Sequence, residues 1–280
     1  MLSFSSWRLV GSVASIIASQ IRGVIINVFF GVRLNAANGI SQQVSNQVNN
    51  LSVSMTRAIR PQLVKSEGGG DRDRMLRITA LATKYSALLF SLFAIPIFFE
   101  LNYLLKLWLT DVPDYTFVFA RLILIGLFVQ KLSFEIGTAV SAVGRIKEMT
   151  IAESIIMVSG VAFAYFLYTL EYPPETIFVV GIFFGLFTFV ARLYYGKKIA
   201  GLAINKFLKE SFLPLLLPIF TSIIFAFSIS YYFEETLLRV IFNLLGAFFL
   251  YLLVFRYFSM NKWEIDKFKS LYETIKNKLM

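Results

Sequence analysis

The sequence predicts an all-α polytopic membrane protein with about eight transmembrane helices. Hydrophobic residues make up 57% of its 280 positions. Mean hydropathy is +0.70, above what a domain with an ordinary wet surface tolerates. Apolar stretches also recur at the roughly 20-residue length that a helix needs to cross a hydrocarbon core of about 30 Å. The chain has no Cys and no His, which removes disulfides, thiolate and imidazole metal sites and the commonest general base. No metal ligand is expected.

The elements follow in order. A first apolar stretch near 7–30 has only Arg8 before it and is too long for a signal-peptide core, so it is expected as a retained helix. A polar helix occupies about 34–60. Further spans fall near 76–98, 117–140, 150–170, 176–195, 212–232 and 236–257. The connection SEGGGDRDR at 66–74 is flexible by composition. It lacks the Gly-Lys-Ser/Thr of a phosphate-binding loop. The tail from 259 to 280 sets Ile265, Phe268, Leu271, Ile275 and Leu279 on one side of a helix ringed by lysines. That pattern suits either an anionic membrane surface or a solvated helix.

The net charge of +10 is spread by loop and not gathered into a nucleic-acid-binding patch. Lys65, Arg72, Arg74, Arg77, Arg145, Lys147, Lys197, Lys198, Lys206 and Lys209 fall on alternate connections, together with Arg8 and the tail lysines. The opposite connections hold Arg33, Lys106 and Arg239 among acids. This asymmetry predicts both termini on the cytoplasmic side.

The polar helix contains ISQQVSNQVNNLSVSM at 40–55. At 3.6 residues per turn, Ile40, Val44, Val48, Leu51 and Met55 form one narrow stripe. Gln43, Asn46, Gln47, Asn49, Asn50, Ser52, Arg57 and Arg60 take the remaining arc. Lipid cannot hydrogen-bond amides, so the arc is expected to face other helices or a hydrated cavity. Its continuation over several turns favours the cavity over interhelical glue.

Arg22, Lys84 and Lys131 sit near span centres, whereas Arg121, Arg192, Arg239 and Arg256 lie near span ends, within reach of the interface. Glu135 is spaced for an i,i+4 pair with Lys131, and Glu153 opens the fifth span. A cationic, amide-lined interior suits a ligand with phosphates and many hydroxyls.

The run FFGVRLNAANGISQQV, then MTRAIRPQLVKSEGGGDRDRML, then LLKLWLTDVPDYT, resembles the second half of the polysaccharide-transporter branch of the MATE-like MOP flippase superfamily. The likeness covers about 31–116 by motif and continues only as topology.

It implies a second six-helix lobe over 1–196, a connection with two additional helices over 197–258, and a cytoplasmic tail over 259–280. It also implies a missing first lobe, so that the chain is expected to be the C-terminal portion of a longer protein. The implied activity is flipping of an undecaprenyl-diphosphate-linked oligosaccharide across the bacterial inner membrane for O-antigen, lipopolysaccharide or capsule assembly. Flipping needs no covalent chemistry, so a non-enzyme with no catalytic residue is expected.

Carried onto this chain, the resemblance gives Arg22, Arg57, Lys84 and Lys131 to the diphosphate and Gln43, Asn46, Gln47 and Asn50 to sugar. It makes Glu135 and Glu153 candidates for proton or sodium coupling, with no cofactor. Membrane lipid, the lipid-linked oligosaccharide and the absent lobe are the expected partners, and nucleic acid is not. A MATE-type cation antiporter, an envelope-glycan polymerase or ligase and a non-transporting assembly subunit are the alternatives.

Overall fold

The structure, a computed structural model, describes residues 2–261 and 264–266. The described residues are helical almost throughout, and seven helices are long and apolar enough to cross a membrane. The chain is an all-α, multi-pass membrane protein. Most of the tail expected to be basic and amphipathic lies outside the described residues.

The first helix, α1 (Leu2–Gly68), runs 67 residues, about 100 Å if it were straight. It is not straight. Gly31 has φ 82° and ψ 178°, a backbone region essentially open to glycine alone. Position 23 lies against the Asn35 side-chain oxygen, although a straight helix would separate these residues by about 18 Å.

The directions of the neighbours establish a full reversal. The helices that follow are α2 (Arg72–Trp108), α3 (Thr116–Lys131), α4 (Phe134–Ala142), α5 (Lys147–Thr169) and α6 (Thr176–Tyr195). The opening half of α1 runs beside α5 in the same direction, with Trp7 at Lys147 and Phe29 at Tyr165 and Tyr168. The polar half runs along α3 and α4, with Ser41 at Thr116 and Arg60 at Glu135. Because α6 is parallel to α3 and antiparallel to α5, the two halves of α1 are antiparallel. The two expected spans are therefore two antiparallel helical halves of α1 joined at Gly31 without a loop, and the seven long elements supply eight crossing segments.

A short α7 (Ile204–Phe207) leads to α8 (Leu213–Tyr232) and α9 (Leu237–Val254). These two pack on α2, where Ala87, Leu88 and Leu92 meet Leu215, Ala226, Ala247 and Tyr251. A Cβ at position 246 would fall 2.6 Å from the Phe225 ring, so glycine there lets α8 and α9 approach closely.

Opposite charges bracket the same interface. Near one end of α2, Lys84 donates to both Glu264 oxygens at 2.8 and 2.9 Å and to the Ser259 carbonyl. Near the other end, Arg239 donates to Glu100 at 2.8 Å and Asn243 does so at 2.6 Å. All four charged groups are buried.

Connections at each end are tied across the bundle. Lys198 reaches Glu148 at 2.5 Å at the basic end, while Lys106 reaches Glu235 at 3.2 Å at the opposite one.

Candidate functional site

The polar half of α1 buries a different face from the one its aliphatics mark. Ser41, Ser45, Val48, Ser52 and Thr56 are buried, whereas Leu51 is 49% exposed. Of the expected aliphatic stripe, Val48 alone is buried, Ile40 and Val44 are half-buried, and the Met55 side chain lies outside those described.

The reason is backbone approach. Small hydroxyl residues let α1 settle against α2 and α3. Thr56 bonds back to the Val53 carbonyl of its own helix, whereas the buried Ser45 and Ser52 hydroxyls have no hydrogen-bond partner among the described residues. Ser41 bonds both its own helix at Ala37 and the Thr116 carbonyl of α3, at 2.7 and 2.9 Å. Ser52, assigned from sequence to the polar arc, belongs to this buried seam. Thr79, Thr83 and Ser86 of α2 are buried as well.

With the hydroxyls turned inward, the amides turn out. Gln43, Asn46, Gln47, Asn50, Ser54 and Arg57 are all exposed, forming one stripe along the helix. The structure thus brings together the four amides and Arg57 named from sequence. Val48, beneath them, packs on Phe90, Ala94 and Leu124 in the interior of the helix bundle. The stripe therefore runs through the depth expected for hydrocarbon.

Beside its basic end, α3 breaks. Leu132 and Ser133 interrupt the helix between Lys131 and Phe134, and the break redirects the charges. Glu135 does not form the expected i,i+4 pair with Lys131, because that pairing requires an unbroken helix. Instead Arg60, from the end of the polar stripe, donates to Glu135 at 3.3 Å. Glu135 is buried, one of its oxygens has no hydrogen-bond partner, and neither does the Arg60 Nε. Lys131 is 7% exposed and lies 5.9 Å above the Phe90 ring, forming no hydrogen bond among the described residues. Phe134 is faced by both Arg60 and Arg192, at 5.0 and 5.5 Å. Arg60, Lys131 and Glu135 thus gather at the helix break with the positive charge in excess, while Arg192 beside them is paired with Glu153.

The other residues predicted from sequence lie apart. Lys84 is neutralised at the interface with α9 and the segment after it. Glu153 is held by Arg192 at 2.6 Å. Arg22 is half-buried with its guanidinium 5.7 Å over Phe178, near the acidic end. Glu100, Arg239, Asn243 and Glu264 form the buried charge clamps that sequence reasoning missed. An acid at position 100, closing a long apolar helix, was the available signal. Arg239, read as an interfacial cation, is instead a buried partner. No family model, curated protein or solved structure matches the chain.

Proposed function

We propose that this chain forms half of a membrane transporter and that its exposed amide stripe lines a hydrated path for a lipid-linked oligosaccharide. The observation that carries this reading is the stripe itself. Gln43, Asn46, Gln47, Asn50 and Arg57 are exposed at membrane depth, where each amide facing hydrocarbon would cost several kcal/mol, ~4 or more. A second lobe with water between is a covering that satisfies them.

Amides suit sugar hydroxyls, and Arg57 with the excess cation at the α3 break suits diphosphate oxygens. In this reading Gln43, Asn46, Gln47 and Asn50 contact sugar, and Arg57 and Lys131 attract phosphate. Lys84 and Glu153 serve the packing of the helices. The motif resemblance supports a bacterial inner-membrane flippase for surface polysaccharide, with cytoplasmic termini. Two lobes would alternate access about a midplane site, and a broken helix is a common device of such sites.

Cysteine chemistry tests this, since the native chain has none. In native membranes, single cysteines at 46 and 50 should react with an impermeant maleimide, and one at 48 should not. Added undecaprenyl-diphosphate-linked oligosaccharide should slow the reaction at 46 and 50. Inert cysteines at all three positions would overturn the hydrated path. Labelling without protection would overturn the substrate class.

A further inference from the structure

At the basic end of the bundle a cavity of about 270 Å³ opens between the first turns of α2 and the elbow at 201–203. The elbow joins the segment after α6 to α7, and Gly201 turns it with φ 76°. The cavity floor is apolar, built by Leu76, Leu202 and Phe207. Asp73, Arg77, Lys206 and Glu210 are the charged residues of the lining.

These four are exposed. Lys206 and Glu210 are in bare contact at 4.0 Å. Asp73 and Arg77, one turn apart, form no ion pair among the described residues. The cavity lies where two membrane-crossing helices meet water, at the level of lipid headgroups.

Two acids and two bases around an apolar floor define the ligand. A headgroup with a phosphate and a primary ammonium matches both signs: Arg77 and Lys206 donate to phosphate oxygens, and Asp73 and Glu210 accept from the ammonium. An anionic glycerol headgroup offers the two carboxylates neutral hydroxyls but no positive charge to set against theirs. A trimethylammonium has no N–H to offer them. We propose that this cavity binds a phosphoethanolamine-headed phospholipid, with its glycerol end on the apolar floor. The site is separate from the amide stripe, and the proposal stands whether or not the transport reading does.

The test uses the full chain, delipidated in detergent and mixed with chain-matched phosphatidylethanolamine, phosphatidylglycerol or phosphatidylcholine. Retained lipid is counted by native mass spectrometry. Phosphatidylethanolamine should be retained about tenfold more tightly than either of the others. Arg77→Gln with Lys206→Gln should abolish its retention, and Asp73→Asn with Glu210→Gln should erase its advantage over phosphatidylcholine. All variants should elute as the parent does in gel filtration, because every substituted side chain is exposed.

Equal retention of the three lipids by the parent would overturn the proposal, as would an undiminished preference in both double variants. Soluble phosphoethanolamine, run in parallel, separates the sources. If it binds as tightly as the lipid, the ligand is a free phosphate ester and the lipid assignment falls.

Discussion

At the scale of single residues, the α3 break holds two buried groups whose removal should act in opposite directions. Glu135 is the carboxylate shared by Arg60 and, at longer range, Lys131, so Glu135→Gln leaves two cations facing each other. A wholly enclosed pair broken this way loses ~3–5 kcal/mol. The Arg60 side chain is 34% exposed, so solvent screening brings the expected loss to about 1–3 kcal/mol. Lys131 is buried over Phe90 without a hydrogen bond among the described residues, and an apolar side chain of similar length removes a desolvated charge. Lys131→Met should therefore raise the melting temperature in detergent, where Glu135→Gln lowers it. A Lys131→Met protein that melts earlier than the parent would show that the ammonium is a structural tie.

At the scale of elements, the contact between α2 and the pair α8–α9 carries its own registration. Lys84 faces Glu264 and Glu100 faces Arg239, so the polarity inverts from one end of the interface to the other. Reversing α9 on α2 would bring like charges together and sliding it would leave buried charges unpaired, penalties that specify one arrangement. Glu264 also accepts from the Asn261 backbone N–H at 2.7 Å, while the Asn261 side chain accepts from the Glu264 N–H. This reciprocal cap starts a helix at the point where Lys84 is neutralised. Lys84→Glu alone and Glu264→Lys alone should each reduce the folded yield in membranes. The double exchange should restore much of it, as read by fluorescence-detected gel filtration. Failure of the exchange to recover more than either single change would mean that the groups act independently.

The elements also show how much of the molecule could be read from its sequence. Span lengths and the existence of the polar helix were legible, because apolar length and amide clustering are local properties. The buried face of that helix was not legible. Periodicity ranks Leu51 and Val48 alike, but burial follows closeness of backbones, which favours Ser45 and Ser52 over leucine. The outward amides Gln43, Asn46, Gln47 and Asn50 were legible as a polar arc. The partner of Lys84 was not, because 180 residues separate it from Glu264 and no pattern in either neighbourhood points to the other. Glu135 was assigned to Lys131 on the premise of an unbroken helix, and nothing in LSF at 132–134 announces the interruption.

At the scale of the whole molecule, alternating elements gather the basic connections at one end and the acidic ones at the other. Cross-connection pairs such as Lys198 with Glu148 and Lys106 with Glu235 link neighbours at the same end. The excess of Lys and Arg predicts that the basic end is cytoplasmic. Reporter fusions at Glu67 and Lys198 should both show cytoplasmic activity, and fusions at Pro173 and Glu235 external activity. Activity of the same kind at Glu67 and Pro173 would contradict the three crossings between them, and opposite activity at the N-terminus and at Glu67 would contradict the reversal at Gly31.

The reversal at Gly31 also governs how the chain enters a bilayer. A helix as rich in amides as 34–60 has little tendency to leave water by itself, since its outward face finds no partner in lipid. Its neighbour, 7–30, partitions readily. With one glycine between them and no loop to hold either segment back, the two must enter as a single hairpin, the greasy arm carrying the polar one. Biosynthesis of the amide stripe therefore depends on the helix immediately before it. The order of the two segments along the chain means that the ribosome delivers the carrier first.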